Sequence, residues 1–351
     1  MRRNKVFEAL PPFLGGKRRL TDIISSHFQG ETVCDIFLGG GSVALKAKLM
    51  NKRVIANDLA YRSKIIGEAL IGNQNEKITE EDVYSLFIPS KHKSFIEKNY
   101  TPKIFIPKVA KFLDNAFANA RKRKNPKKEL LELLLVKYIL SLRQYGAFQV
   151  GVFDNKMILK GEEIELLELA SESRARKIKD GLSHALPILL KIKDQINGAI
   201  FNNGKANQVY QMDCFEFLKL MREKGERIDT IYFDSPYFNS TLYSNHYKVL
   251  DEILETKKGI KIEDKAFNSK KVLENFERLF SLSEFIPKWI ISLGYNPASE
   301  AGIKGKKLLG VVQKFRKAKL YHLEHNWAIN NIASKSGKKQ SENVEYLIVT
   351  N

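Results

Sequence analysis

The sequence predicts an α/β protein with a doubly wound, mostly parallel sheet and an inserted helical domain. Near both ends of the chain, short strand-like runs that end in glycine or aspartate alternate with helical patterns, as in parallel sheets whose strands are joined by helices. Between about residues 65 and 196, apolar residues recur at three- and four-residue spacing, which indicates helices. We therefore expect a catalytic sheet domain over 1–64 and 197–351, interrupted by a helical domain over 65–196.

The individual elements can be taken in chain order. "TVCDIFLGGGS" predicts a strand and a glycine turn, "VALKAKLM" a helix, and "RVIAND" a second strand that ends on Asp58. Helices are expected in the middle at "ELLELLLVKYILSL" and "GLSHALPILLKIKDQI". Strands return at "QVYQMD", "IDTIYFD" and "KWIISLGYN", with the helix "VLENFERLFSLSEF" before the last of them. "LYHLEHNWAI" and "NVEYLIVTN" predict an antiparallel pair that completes the sheet.

The charge of the chain points to a polyanionic partner. Its 351 residues include 59 Lys and Arg against 40 Asp and Glu, a formal net charge of +19. Such a surplus favours nucleic acid, although a merely solvated basic surface is the alternative. Basic runs at 121–128, 304–319 and 335–339 are candidates for phosphate contact, and each has the same alternative.

Cysteine usage and hydropathy exclude several classes of protein. Cys34 and Cys214 are the two cysteines, and both lie in apolar strand-like contexts, which predicts buried thiols and argues against a disulfide framework or a cysteine-based zinc site. The scattered histidines suggest no metal. The basic N-terminus lacks the apolar run of a signal peptide, and the longest apolar stretch, 130–142, is too short to span a membrane. We expect a cytoplasmic protein without membrane contact.

Three strand ends carry the candidate chemistry. Gly39, Gly40 and Gly41 form a turn that lets backbone approach a ligand, and Asp58 offers acceptors for ribose hydroxyls. A turn that serves packing alone is the alternative, because neither a third helix-start glycine nor a Walker-type ending follows. Asp213 either accepts a hydrogen bond from an adenine amino group or caps the next helix, and both roles are compatible.

The stretch "IYFDSPYFN" predicts a pocket for an amino group. Proline forces an abrupt exit from the strand, which exposes the Asp234 carboxylate and the Ser235 carbonyl as neighbouring acceptors. Tyr237 offers a face on which a flat base stacks, and Phe238 adds a second ring. The alternative is a strand-ending turn with two core aromatics.

Four motifs in order resemble the adenine-specific DNA methyltransferases of the Dam type, which use S-adenosylmethionine. "PPFLGGKRRL" looks like their Pro-Phe-x-x-Gly-Gly-Lys segment, and "DIFLGGGS" like their Asp/Glu-Pro-Phe-x-Gly-x-Gly loop. "ANDLA" is similar to the acidic end of their second strand, and "IYFDSPYF" to their Asp-Pro-Pro-Tyr motif. "YILSLRQYGAFQV" and "ENVEYLIVTN" are similar to a target-recognition segment and to the last strand. The resemblance implies the class I methyltransferase fold, which is Rossmann-like, with a helical target-recognition domain.

The resemblance also implies roles for individual residues. The catalytic set is Asp234, Ser235, Pro236 and Tyr237. The residues implied to bind S-adenosylmethionine are Phe13, Gly15, Gly16, Lys17, Asp35, Phe37, Gly39, Gly41, Asp58, Asp213 and Phe215. The candidates for DNA contact are Arg121, Lys122, Arg123, Lys124, Arg143 and Tyr243; Tyr243 and Tyr247 line the DNA-facing rim or pack internally.

The sequence departs from the family pattern at four places. Ser235 stands where the family has proline, but the functional group there is a main-chain carbonyl, which serine keeps. The Trp-Ala that commonly precedes the Gly-Gly-Lys of the family is absent before Gly16 and Lys17. Ile36 replaces a proline. Cys214 replaces a phenylalanine, so that the ring next to the cofactor adenine is assigned to Phe215.

The implied reaction is direct transfer of the sulfonium methyl group to the 6-amino group of a flipped-out adenine in duplex DNA. Methylation of the cytosine 4-amino group or of RNA adenine uses the same pocket chemistry, and a catalytically inert DNA-binding protein of the same fold is a third hypothesis. The expected partners are double-stranded DNA and a cognate restriction endonuclease, with the protein a monomer or weak dimer.

Overall fold

A computed structural model describes residues 5–13, 16–102, 104–142, 185–235, 243–260, 266–267, 269, 271–296, 301–323 and 344–351. Seven strands form one sheet in the order β3-β2-β1-β4-β5-β8-β7, and the short β6 pairs with β5. The strands are β1 Thr32–Asp35, β2 Arg53–Asp58, β3 Gln208–Gln211, β4 Thr230–Phe233, β5 Lys288–Asn296, β6 Ala301–Gly302, β7 Ala318–Leu323 and β8 Val344–Thr350. β1 to β5 run parallel, whereas β8 is antiparallel to both β5 and β7.

Twelve α-helices lie within the described part of the chain. They are α1 Thr21–Ser25, α2 Ser42–Leu49, α3 Tyr61–Gly67, α4 Glu80–Ser85, α5 Phe95–Tyr100, α6 Pro107–Arg121, α7 Lys127–Leu142, α8 Ala185–Asn197, α9 Cys214–Glu223, α10 Tyr243–Glu255, α11 Val272–Leu282 and α12 Gly305–Val312. A 3₁₀ turn covers Lys5–Ala9, and a π-helical turn, Glu68–Gly72, continues α3.

The central strands are buried on both faces, as the fold class requires. Cys34 and Ile231 point into one core layer with α9, α11 and α12. Val33 and Val54 point to the opposite face, where α2, α3 and the helices after β2 pack. Near-continuous apolar runs in β1, β2 and β4 therefore reflect two packed faces of one sheet. Both cysteines are buried, as predicted.

The order of the strands places a switch point beside β1. From β1 the chain builds outward through β2 and β3, and then returns to add β4 and β5 on the other side of β1. Cys34 pairs with Ile231, so that the carboxyl ends of β1 and β4 are level. In open α/β sheets, ligands bind outside the carboxyl ends of the strands at such a point.

The described residues between β2 and β3 are mainly helical and share the core of the sheet domain. Residues on α7 such as Leu131 and Leu134 are fully buried in the same cluster as Val33 and Val54. α7 is apolar on nearly all sides, which is typical of a helix enclosed by neighbours. The division into 1–64 with 197–351 and 65–196 stays a prediction.

The predicted fold class is confirmed, and so are the predicted strands, except that residues 324–329 of "LYHLEHNWAI" lie outside the described residues. The antiparallel pair at the end of the chain is β7 and β8. Of the two predicted helices in the middle, "ELLELLLVKYILSL" lies within α7, and α8 contains the described part of "GLSHALPILLKIKDQI". Within the described residues, no helix is long and apolar enough to cross a membrane.

Candidate active site

The glycine turn after β1 is held by the acid that ends β2. The Asp58 carboxylate accepts hydrogen bonds from the Gly39 N–H at 2.7 Å and the Ala60 N–H at 2.8 Å. Gly39 and Gly41 have φ of 50° and 74°, a region that disfavours side chains, and Gly41 is the N-cap of α2. Among the described residues, a Cβ at Gly39 would meet only the Phe37 carbonyl oxygen, at 3.8 Å, so that the turn leaves backbone accessible.

Asn57 connects the loops that follow three neighbouring strands. Its side-chain amide donates to the carbonyls of Ile36 at 3.4 Å and Met212 at 3.1 Å, and its oxygen accepts from the Met212 N–H at 3.2 Å. The side chain is buried, so these bonds satisfy polar groups that water does not reach. The ends of β1, β2 and β3 are therefore fixed relative to one another.

Asp35, the last residue of β1, is a buried carboxyl with incomplete hydrogen bonding. Among the described residues its Oδ1 has no hydrogen-bond partner. Burial raises the pKa of Asp35 well above its usual range, the nearby charges of Asp234 and Asp58 raise it further, and the backbone N–H groups of Ala44 and Phe37 oppose the rise. The Asp35 carboxyl group thus lies within electrostatic range of both Asp234 and Asp58.

Asp234 forms an ion pair with a buried lysine. The Lys17 Nζ lies 2.9 Å from Asp234 Oδ1 and 3.5 Å from Glu345 Oε1 on β8. The Asp234 side chain is 19% exposed, so it faces the crevice, whereas the lysine and the glutamate are enclosed. Burial raises the pKa of the Asp234 carboxyl, and the Lys17 ammonium opposes that shift.

Asp213 and Phe215 form the next wall. The Asp213 carboxylate caps α9 by accepting from the N–H groups of Phe215 at 2.9 Å and Glu216 at 3.3 Å. The Phe215 ring stacks on Phe267, with centroids 6.1 Å apart, and the Phe37 ring meets Phe267 edge-on at 5.4 Å. An aromatic wall therefore joins the loops after β1 and β3.

The N-terminal segment closes the crevice over the glycine turn. A Cβ added to Gly40 would lie 3.6 Å from the Phe13 ring, and Phe13 also packs edge-on against Tyr247 of α10. Gly16 and Lys17 follow closely, and the lysine reaches Asp234. The segment before α1, the turn after β1 and the end of β4 therefore meet at one place.

Two comparisons with known proteins agree with this geometry. A sequence model of the D12 class N6 adenine-specific DNA methyltransferases matches residues 13–152. The chain is also 26% identical over 294 residues to the type II methyltransferase M2.HphI of Haemophilus parahaemolyticus, which covers 82% of this chain and 83% of that protein. Both comparisons support an adenine-specific DNA methyltransferase. S-adenosylmethionine is the general methyl donor of such methyltransferases, and DNA is their substrate.

The structure brings many of the predicted site residues together. Those that lie at or near the carboxyl ends of β1 to β4 are Phe13, Gly16, Lys17, Asp35, Phe37, Gly39, Gly41, Asp58, Asp213, Phe215, Asp234 and Ser235. Gly15, Pro236 and Tyr237 lie outside the described residues, as does Phe238. Their roles stay predictions.

The candidates for DNA contact have different environments. Lys122, Arg123 and Lys124 are exposed in the turn between α6 and α7. Arg121 instead donates to the Ile253 and Leu254 carbonyls at the end of α10, at 3.1 and 2.6 Å, and pairs with Glu132 at 3.1 Å. The structure therefore gives Arg121 a structural role in the methyltransferase.

The remaining residues expected near the DNA are two tyrosines of α10 and Arg143. Tyr247 is buried against Phe13 and under the Arg62 guanidinium, so it packs internally and does not line a rim. Arg143 lies outside the described residues, and α10 begins at Tyr243, whose side chain is likewise outside the description.

Sequence reasoning missed Asn57, Phe267 and Glu345. Asn57 precedes the acidic strand end and was a candidate by position, since a polar residue at the end of an apolar strand has to find partners there. Nothing in the local sequence marks Phe267 or Glu345. Among the described residues no group of three or more His, Cys, Asp or Glu side chains is arranged to hold a metal.

Proposed function

We propose that this methyltransferase transfers the methyl group of S-adenosylmethionine to the 6-amino group of an adenine flipped out of a specific duplex sequence. The observation that carries the proposal is the convergence of Asp35, Asp58 and Asp234 at the carboxyl edge of the sheet, beside the glycine turn. An acceptor for the target amino group and a cradle for the methyl donor then lie in one crevice.

The residues present fit S-adenosylmethionine. The Asp58, Asp234 and Glu345 carboxylates outnumber the Lys17 ammonium at this edge, and this excess of negative charge suits a donor that bears a sulfonium and an ammonium group. The buried Asp35 Oδ1, which has no hydrogen-bond partner among the described residues, offers an acceptor, and Gly39 leaves backbone accessible. When bound, the donor supplies an electrophilic methyl group.

The chain's own residues would orient the donor and the target. Phe13, Gly15, Gly16 and Lys17 border the methionine part, with Phe37, Gly39 and Gly41 beneath it. Asp58 accepts from the ribose, and Asp213 and Phe215 hold the adenine of the donor. Asp35 lies close to the Phe37 and Ala44 N–H groups at the start of this turn and of α2.

Asp234 and the Ser235 carbonyl would act on the target adenine. Two acceptors beside the amino group favour the pyramidal nitrogen of the transition state over the planar ground state, which lowers the barrier electrostatically. The amino nitrogen would form a bond to the methyl carbon as the carbon–sulfur bond breaks, and it would then release one proton to solvent. Pro236 shapes the turn, and Tyr237 stacks on the base.

A base paired inside a duplex cannot reach this crevice, so flipping is part of the proposal. Unstacking costs a few kcal/mol, which stacking on Tyr237 offsets in part. Lys122, Arg123 and Lys124 would hold the backbone of the duplex, since phosphate contacts position a protein on DNA. Arg143 and Tyr243 stay candidates, whereas Arg121 is left out because α10 and Glu132 occupy its guanidinium.

The test is Asp234→Ala. Methyl transfer to duplex DNA should become undetectable, while affinity for S-adenosylmethionine stays within a few-fold, because the carboxylate serves the target and not the donor. Ser235→Ala is the matched control: it keeps the main-chain carbonyl, so it should retain activity within a few-fold. An Asp234→Ala enzyme that methylates duplex DNA at the wild-type rate would show that this assignment is wrong.

The name of the relative supports a proposal about the biological partner. M2.HphI is named a type II methyltransferase, and we propose that this chain likewise belongs to a restriction-modification pair with a cognate endonuclease, acting as a monomer or weak dimer. Long-read sequencing of a host that expresses the gene should give the modified adenine and its flanking bases. The endonuclease should then fail to cut that host's DNA.

A further inference from the structure

A buried chain of three charged groups crosses the sheet edge from the N-terminal segment to the last strand. The Lys17 ammonium lies between Asp234 after β4, at 2.9 Å, and Glu345 on β8, at 3.5 Å. The lysine is 3% exposed and the glutamate 1%. The three residues come from distant parts of the sequence, and the resemblance assigns no role to Glu345.

Two buried carboxylates share one ammonium, so Lys17 and Glu345 have opposite effects on the ionisation of Asp234. Asp234 is the member that reaches the crevice, whereas Glu345 is enclosed. Charges close by in a poorly hydrated site interact strongly, and an opposite charge favours the ionised form of a carboxyl group whereas a like charge disfavours it. Lys17 therefore favours the Asp234 carboxylate, and Glu345 opposes that effect while it draws the lysine toward β8.

We propose that Lys17 and Glu345 are positioning residues that set the ionisation of Asp234: Lys17 keeps it an acceptor for the target amino group, and Glu345 limits how strongly the lysine is bound to it. The inference rests on the proposed function of Asp234. A lysine held wholly by Asp234 would compete with the adenine amino group for the same oxygens, and sharing with Glu345 weakens that competition.

Every group that faces Asp234 enters this balance. Burial and the Asp234 charge raise the pKa of Asp35 on β1, which favours the protonated form of Asp35, and the Tyr232 hydroxyl, which donates to Ser292 at 2.9 Å, lies within electrostatic range of Asp234. Burial raises the pKa of Asp234, and Lys17 is the group that lowers it. Activity should then fall as acidic pH protonates Asp234, and the position of this acid limb reports the balance.

The experiment compares pH profiles of kcat/KM for three variants. Lys17→Met removes the ammonium while keeping the length of the side chain, so the acid limb should move to higher pH. The loss of kcat/KM relative to wild type should be at least about tenfold larger on the acid limb than on the alkaline plateau. The reason is that raising the pKa of a carboxyl group by about one lowers its ionised fraction about tenfold at acidic pH. Glu345→Gln removes the opposing anion, so its limb should move to lower pH. Lys17→Arg keeps the charge and should leave the limb near that of wild type.

Opposite shifts for Lys17→Met and Glu345→Gln are the expected result. A merely structural or donor-binding role would lower activity evenly across pH or raise only the KM for S-adenosylmethionine, and that outcome would overturn the inference. If Lys17→Met fails to fold, the direction in which the acid limb of Glu345→Gln moves decides the test alone. An acid limb that stays in place or moves to higher pH contradicts the proposal. The Asp234→Asn variant distinguishes failure of the proposed function from failure of this inference. Wild-type activity in that variant removes the proposed function. An inactive Asp234→Asn, together with unshifted acid limbs in the Lys17 and Glu345 variants, removes this inference only.

Discussion

At the scale of single residues, Asp213 has two jobs that can be measured separately. Its carboxylate caps α9 through the Phe215 and Glu216 N–H groups, and under the proposed function it also accepts a hydrogen bond from the donor's adenine. Side chains at N-caps contribute to stability through the first bond, whereas only the second contributes to affinity.

Asp213→Ala should therefore lower the free energy of unfolding by about 1 kcal/mol and weaken S-adenosylmethionine binding by roughly tenfold. Chemical denaturation and calorimetry measure the two effects. Thr79→Ala is the matched control, because Thr79 caps α4 in a capping box away from the crevice: it should cost similar stability and leave the affinity unchanged. Equal affinities in the two variants would remove Asp213 from the donor site.

Individual residues also show which contacts could be predicted from the sequence and which could not. Asp58 and the glycines were predictable because a turn at a strand end needs left-handed backbone and an acceptor nearby, which are local properties. Asn57 bonds to Met212, 155 residues away, and Lys17 meets Glu345 across the whole chain. Such pairs depend on which strands become neighbours, and this information is absent from any short window of sequence.

At the scale of elements, the end of α10 is stabilised by a residue of α6. Arg121 donates to the Ile253 and Leu254 carbonyls and to the Thr256 hydroxyl, and it pairs with Glu132, which is fully buried on α7. Helix ends carry unsatisfied carbonyls and a partial negative charge, so the guanidinium suits that position. A charge run in the sequence does not distinguish this role from phosphate contact.

Arg121→Met should lower the free energy of unfolding by about 2 to 3 kcal/mol, since it leaves buried acceptors without a donor while the partial exposure of the arginine limits the loss. Lys122→Met, one residue along and exposed, should change it by less than about 0.5 kcal/mol. Urea denaturation compares the two. A stability of Arg121→Met equal to that of Lys122→Met would contradict the capping role.

The helices and strands were predicted more completely than the contacts of the candidate site. β1, β2, β4 and β5 are apolar runs bounded by turn residues, and α2 and α11 follow their helical spacing, so local pattern and final structure agree. β3 is the weaker case, because Gln208–Gln211 is a half-exposed edge strand and the aspartate two residues later belongs to a cap. The edge position removes the two-sided burial that makes a parallel strand recognisable.

At the scale of the whole molecule, the net charge of +19 gives a test of the DNA surface. Each phosphate that a lysine or arginine neutralises releases counterions, so affinity falls as salt rises, with a slope of about 0.9 per contact in logarithmic units. The proposed contacts at Lys122, Arg123 and Lys124 should contribute in this way.

Replacing these three residues together by glutamine should flatten the plot of log affinity against log salt concentration, reducing its slope by roughly 2 to 3. The control removes the same charge elsewhere, with Lys219→Gln, Lys224→Gln and Arg227→Gln on and just after α9, and should change the slope little. Fluorescence anisotropy over a salt series gives both slopes. Equal slopes for the two triple variants would mean that the turn between α6 and α7 does not touch the duplex.

The anchoring of α10 has a consequence for engineering. This helix starts shortly after Ser235 and is held midway by the Arg62–Asp251 pair and at its far end by Arg121. Both arginines belong to the helices beyond β2, so α10, the helix that follows the proposed catalytic residues, is anchored to the region expected to read the DNA sequence. Redesigning specificity there should alter turnover even where affinity for the new site is restored, and selections for altered targets should score methylation, not binding.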